Sequence, residues 1–215
     1  MVGIPLTTPN YHGCFRNQVV EAIKAALDEV DVDFEIVISP STKEKGLAGV
    51  VEVTNCLVQK CLDEGWDWLW IVEADVEVPN HALNKLVCEA DINLGIYPNH
   101  RSDELRMMAG YFQERWDRIK PEVKSVYDLK QIEGKVFSGM VWAGIGCALI
   151  KRTVFEKIRF IYDLREYNRK VGVHDQLFLF EAQRLGFNVL LHGDVLCGHL
   201  PEWPLQKLDE IINGC

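Results

Sequence analysis

An apolar run that stops at three acids governs what this chain can fold into. Trp66-Asp-Trp-Leu-Trp-Ile-Val-Glu73-Ala-Asp75-Val-Glu77-Val-Pro79 sends Trp66, Trp68, Trp70, Ile71 and Val72 toward a core and then presents Glu73, Asp75 and Glu77. A strand of this kind places its carboxylates at the C-terminal edge of an α/β sheet, which is where such sheets bind ligands. Carboxylate oxygens there suit a hard divalent cation, Mg²⁺ or Mn²⁺, which commonly brings substrate phosphates with it.

The flanking periodicity supplies the rest of that sheet. Residues 1–6 read as a first strand, and residues 18–30 carry a helical stripe of Val19, Val20, Ile23, Ala26, Leu27 and Val30. Residues 34–39 form a second strand and residues 50–64 a second helix that stops at Gly65, ahead of the Trp-rich strand. Pro79 and Asn80 close the acidic loop and open a helix over 82–89, after which 92–97 returns as a strand. This β-α-β-α-β-α-β order predicts a mainly parallel, twisted sheet flanked by helices on both faces.

Periodicity weakens from 99 to 134, where charge and aromatics (Arg101, Arg106, Tyr111, Phe112, Arg115, Trp116) suit a small antiparallel or loop-rich insertion over the sheet edge. Residues 136–150 read as a buried strand with a glycine-rich turn, followed by a short helix at 153–157. Residues 174–186 form an amphipathic helix stopped by glycine, and 188–191 a strand behind it.

At 215 residues the chain is long enough for one substantial core, and no Pro/Gly/Ser-rich linker divides it, so a single domain is expected. A net charge of -9 argues against a nucleic-acid backbone or an anionic membrane as the main partner. The seven cysteines are scattered among apolar segments, the pattern of reduced core residues in a cytoplasmic protein. The longest apolar run, 136–150, is too short and too glycine-rich for an integral membrane segment, and the chain opens without a signal-peptide pattern.

Four stretches in order now carry a resemblance. They are the strand ending in Glu73-Ala74-Asp75, then Ala143-Gly-Ile-Gly-Cys-Ala-Leu-Ile-Lys-Arg-Thr-Val-Phe155, then His174-Asp175-Gln176 with Leu185-Gly-Phe-Asn-Val, and finally Cys197-Gly-His199. Together they resemble the glycosyltransferases of the GT-A fold, family 2-like members above all, over nearly the whole chain. The resemblance implies a Rossmann-like α/β domain with a nucleotide-binding half (1–98) and an acceptor-binding, catalytic half (99–215). It implies transfer of one sugar from a nucleotide-sugar donor, a UDP-sugar foremost, to a carbohydrate or other hydroxyl acceptor, with inversion and with Mn²⁺ or Mg²⁺ as cofactor.

Site residues follow from the same resemblance. The family's Asp-x-Asp motif binds the metal that bridges the donor diphosphate. Here Glu73-Ala-Asp75 matches it in one frame and Asp75-Val-Glu77 in the other, so the resemblance implies Asp75, the common member, on the metal, Glu73 as the favoured partner near the ribose or a metal-bound water, and Glu77 as the further metal candidate. Asp175 matches the acid that serves inverting members as general base, with His174 standing where the family often has an acid. His199 matches an additional metal ligand of some GT-A enzymes. Pro5, Thr7 and Thr8 match the opening strand and loop that cup the nucleobase, Asn55 a polar residue of the helix before the acidic strand, Ala74 the middle of the acidic motif, and Gly144 a turn where donor or acceptor approaches closely. Thr7, Thr8 and Asn55 serve equally as turn formers and packing residues. A helix N-cap is the alternative role for Asp175, and one that can coexist with the base.

Two rivals belong to other classes. A sugar nucleotidyltransferase would use the same acids, but the chain lacks a glycine-rich, lysine-containing loop after its first strand. A non-catalytic nucleotide-binding module on a degenerate GT-A scaffold would account for the altered Asp-x-Asp and for His174. Gln113-Glu-Arg-Trp116 is similar to the Gln-x-x-Arg-Trp signature of processive synthases, yet it is one residue short and precedes Asp175, which argues for a non-processive enzyme.

Overall fold

The computed structural model describes residues 1–5, 16–39, 46–99, 105–113, 122–125, 129–161 and 174–213. Its centre is a seven-stranded sheet built on the Trp-rich run, which forms strand β3 (Trp68–Val72). β3 lies beside β1 (Val2–Ile4), and β1 beside β2 (Ile36–Ile38), all three parallel. On its other side the sheet continues through β10 (Cys147–Lys151), β5 (Ile92–Ile96), β11 (Val189–Leu196) and β8 (Val136–Phe137). β5 and β11 are parallel to each other, whereas β10 runs antiparallel to both β3 and β5, and β8 antiparallel to β11. Five strands thus share one direction, as the βαβ order of the sequence requires, and two oppose them.

Alternation along β3 divides the core between the two faces. Leu69 and Ile71 enter one cluster with Ile92, Leu94 and Ile96, while Trp70 and Val72 enter the other. Helix α1 (Arg16–Leu27) covers the second face with the stripe Val19, Ile23, Ala26 and Leu27, joined by α3 (Ala82–Leu86). Helix α2 (Gly46–Asp63) covers the first with Leu57, Val58 and Cys61. Each of these side chains loses nearly all contact with water, and burial of a large aliphatic side chain is worth roughly 1.5–3 kcal/mol. α2 ends as the sequence predicts, on Gly65 with φ +74°.

The second half is more finely divided than the sequence suggests. The 136–150 run is three strands, not one: β8, then β9 (Val141–Ala143), then β10. Gly139 at φ +90° separates the first two, and the Gly144 to Gly146 turn separates β9 from β10. The expected antiparallel insertion is a three-stranded sheet in which β6 (Ala109–Gln113) lies between β7 (Glu122–Ser125) and β9. Short helices α4 (Leu129–Ile132) and α5 (Arg152–Phe155) follow their neighbouring strands. Helix α6 (His174–Arg184) buries Phe178, Leu179 and Ala182 in the first cluster, and α7 (Leu205–Asn213), which the sequence reading passed over, closes the described chain. Among the described residues no helix is long and apolar enough to cross a membrane.

Candidate functional site

The acids do gather at the C-terminal end of β3. After Val72 the chain turns through Glu73, Ala74 and Asp75 into a two-residue strand, β4 (Val76–Glu77). β4 pairs antiparallel with β12 (Gly198–His199), in the register His199↔Val76. This ribbon explains how residues so far apart in sequence meet. The Leu200 N–H donates to the Asp75 carbonyl at 2.8 Å, and the Asp75 Oδ2 lies 3.6 Å from His199 Nε2.

Both side chains are withdrawn from bulk water, Asp75 being 8 % exposed and His199 5 %. His199 Nδ1 donates to the Pro98 carbonyl at 2.6 Å, which fixes the ring and turns Nε2 toward the carboxylate. Burial lowers the imidazole's proton affinity, but the hydrogen-bonding and charge of Asp75 and the Pro98 carbonyl outweigh it, so the net shift is upward.

Glu73 sits on the other side of the same turn. Its N–H donates to the Gly146 carbonyl at 3.0 Å, tying the acidic loop to the glycine turn before β10. The Gly146 N–H in turn donates to the Tyr97 hydroxyl at 3.0 Å. A Cβ on Gly146 would lie 2.8 Å from that hydroxyl and 2.9 Å from Glu73 Oε2, and a Cβ on Gly144 only 2.0 Å from the hydroxyl. The space beside Gly144 is therefore filled by Tyr97.

Tyr97 follows β5 and is 3 % exposed. Burial, then Glu73, Asp175 and Asp75, push its pKa well above the ordinary phenol value, so it stays protonated among three carboxylates. Its ring meets His199 edge to face, with centroids 5.1 Å apart.

Asp175 is the second residue of α6 and 5 % exposed. Its Oδ1 accepts the Gln176 N–H at 2.7 Å. Burial raises its pKa against the opposing effects of His174 and its backbone hydrogen bonds. A carboxylate raised in this way is a stronger base near neutral pH than an exposed one. His174 is buried, neither ring nitrogen is hydrogen-bonded among the described residues, and burial lowers its pKa.

The remaining sequence-derived positions have other surroundings. Glu77 Oε2 accepts the Leu205 N–H at 2.8 Å and Oε1 accepts Gln18 Nε2–H at 2.9 Å, so this carboxylate joins α7 and α1 to the acidic loop. Asn55 donates to the Phe160 carbonyl and accepts the Phe160 N–H, which occupies both ends of its amide. Pro5 is buried directly after β1, and Ala74 is buried within the acidic turn. Thr7, Thr8, Arg101 and Arg115 lie outside the described residues, and Arg106 lies within them, its carbonyl accepting the Asn99 N–H at 2.6 Å.

The arrangement brings together Glu73, Asp75, His199 and, around Tyr97, Asp175. Among the described residues no group of three or more His, Cys, Asp or Glu is disposed to hold a metal ion. Asp75 and His199 nonetheless fit a Mn²⁺ or Mg²⁺ that takes two protein ligands, because such ions complete their coordination with water and substrate phosphates. Sequence reasoning missed Tyr97 and the Pro98 carbonyl. The available signal was the pair of glycines at 144 and 146, which marks room kept for a large side chain from elsewhere.

Two solved structures share the fold. The crystal structure of A197 from STIV matches with a TM-score of 0.55 and 14% sequence identity, over 94% of this chain and 85% of that one. S. aureus TarS matches with a TM-score of 0.53 and 13% identity, over 91% of this chain but 35% of that one, so this chain spans about a third of TarS. At these identities the likeness is one of fold, and it agrees with the Rossmann-like GT-A architecture expected from the sequence. No family model matches the chain, and no curated protein matches it in sequence.

Proposed function

We propose that this chain is a metal-dependent GT-A glycosyltransferase, family 2-like, that moves one sugar from a nucleotide-sugar to an acceptor hydroxyl with inversion. A UDP-sugar is the favoured donor, transfer is non-processive, and the enzyme works in the cytoplasm. What supports the reading above all is the meeting of Asp75 with His199 at the C-terminal edge of the sheet, beside a Tyr97 hydroxyl that burial and the charges of Glu73, Asp175 and Asp75 keep protonated.

Asp75 and His199 would hold Mn²⁺ or Mg²⁺, with the imidazole fixed by the Pro98 carbonyl. When bound, the ion supplies charge stabilisation to a leaving diphosphate. Glu73, held by its N–H to the Gly146 carbonyl, would serve the ribose or a water of the ion. Asp175 Oδ2 takes the proton of the acceptor hydroxyl, Oδ1 being engaged with the Gln176 N–H. Its burial excludes water from that proton transfer and keeps its basicity high.

The test is a thermal-shift screen of UDP, GDP, CDP, their sugars and nucleoside triphosphates, each with and without Mn²⁺, because a ligand that binds only the native state raises its stability. A Mn²⁺-dependent rise with one diphosphate and its sugars, followed by release of that diphosphate on turnover, is the expected result. A rise with triphosphates alone would replace this reading with nucleotidyl transfer. Binding without turnover under any acceptor would leave a nucleotide-binding module.

A further inference from the structure

Tyr97 meets both His199 and the glycine turn that holds Glu73, without belonging to the acidic motif, the base helix or the histidine segment. Its ring packs edge to face on His199 at 5.1 Å, and the residue after it supplies the carbonyl that holds His199 Nδ1 at 2.6 Å. At the other end its hydroxyl accepts the Gly146 N–H at 3.0 Å, and the Gly146 carbonyl accepts the Glu73 N–H. The chain keeps two glycines to admit this hydroxyl, since a Cβ at either position would fall within 2.8 Å of it.

We propose that Tyr97 is the positioning residue of the metal site: its ring holds the His199 imidazole against Asp75, and its hydroxyl anchors that ring to the glycine turn before β10, whose Gly146 carbonyl in turn holds the Glu73 N–H. The chemistry is that of an outer-shell support, which restricts the ligand's rotation and so favours the bound geometry before the ion arrives. Because the hydroxyl is a neutral donor and acceptor, it does this without adding a charge among Glu73, Asp75 and Asp175.

This inference rests on the reading of Asp75 and His199 as metal ligands. Its test is the affinity of the purified full chain for Mn²⁺ alone, measured by the free-ion spin-resonance signal, in wild type, Tyr97→Phe and Tyr97→Leu, each also in a His199→Ala background. Tyr97→Phe, which keeps the ring but releases Gly146, is expected to weaken Mn²⁺ a few-fold. Tyr97→Leu, which removes the ring, is expected to weaken it by about 10-fold or more, the range typical of outer-shell supports. In His199→Ala neither change should cause further loss, because Tyr97 acts through that imidazole. Wild-type affinity in both single variants, or an undiminished loss when His199 is absent, overturns the proposal while leaving the metal reading standing. Absence of Mn²⁺ binding by the wild type overturns both. Thermal unfolding accompanies each variant, and should Tyr97→Leu not fold, Tyr97→Phe with its His199→Ala partner completes the comparison.

Discussion

Asn55 and Phe160 hold each other by a reciprocal pair of hydrogen bonds, Nδ2 to the carbonyl at 2.9 Å and the backbone N–H to Oδ1 at 3.2 Å. The pair joins α2 to the segment after α5, where Phe160 stacks on Phe178 of α6 with centroids 4.1 Å apart. Asn55→Ala leaves two backbone groups of Phe160 without partners. The expected cost is about 1–3 kcal/mol of stability, read from urea unfolding, with Mn²⁺-dependent UDP binding unchanged. A large loss of UDP affinity at unchanged stability would instead return Asn55 to the nucleotide.

Asp75 and Glu77 separate the two frames of the acidic motif. Asp75→Asn should abolish the Mn²⁺-dependent rise in melting temperature expected with UDP, which for wild type at a hundredfold excess over Kd would correspond to about 2.7 kcal/mol. Glu77→Gln should keep that rise and lower the baseline melting temperature, because Glu77 accepts from Leu205 and Gln18. The reverse pattern would transfer the metal role to Glu77.

Asp175→Asn tests the base and its burial together. Turnover should fall on the order of 10²- to 10⁴-fold, the usual contribution of a general base. Stability should move the other way. A carboxyl whose folded pKa is raised by burial costs stability once it ionises, so the variant should be more stable than wild type at pH 8. The advantage should shrink as pH falls through the raised folded pKa and disappear below the unfolded value of about 3.9. Equal stability at all pH values would show that burial imposes no such penalty.

Gly144→Ala places a methyl group 2.0 Å from the Tyr97 hydroxyl. Overpacking of this kind costs typically about 1–3 kcal/mol. The cost should be smaller in Tyr97→Phe, where the nearest atom is gone, and the coupling is measurable as a double-mutant cycle in urea. Additive costs would mean the turn relaxes away from Tyr97.

His174 and His192 predict the acid limb of stability. Burial lowers the pKa of each, with Asp175 opposing at His174, and Asp194 opposing and Lys85 reinforcing at His192. The unfolded chain therefore takes up protons first, and stability is lost as pH falls through about 6.5 toward the lowered folded values. His174→Leu removes one such group along with two ring nitrogens that have no hydrogen-bond partner among the described residues. It should be neutral or stabilising at pH 7 and should flatten the decline between pH 7 and 5, measured as urea midpoints. An unchanged slope would assign the decline to His192 and the remaining groups.

The parts of the fold that were legible in the sequence are those fixed by local patterning. The α1 stripe of Val19, Ile23, Ala26 and Leu27, the stop at Gly65 and the apolar β3 run each declare themselves within a few residues. β10 was not legible in this way: that Cys147–Lys151 would run antiparallel between β3 and β5 depends on which distant edge it meets. β6 and β7 were hidden because their charged and aromatic residues lack a clean two-residue alternation. At the candidate site, the placement of Asp75 at the C-terminal end of β3 and of Asp175 at the start of a helix was readable from residue type and order, whereas Tyr97 looked like the end of a core strand. Its meaning lies in a hydroxyl contact made across 49 residues of chain.

The position of β10 also dictates a timetable. Leu149 pairs with Trp70 on one side and Asn93 on the other, so the strand that joins the two parts of the parallel sheet is synthesised only after both of the strands it pairs with. Until it emerges from the ribosome, β3 and β5 each present a row of unpaired amides and carbonyls, the kind of edge that pairs readily with a neighbouring chain. A version of this protein cut after residue 99 would inherit those open edges permanently, which makes the early half a poor candidate for separate expression even though it carries the acidic loop.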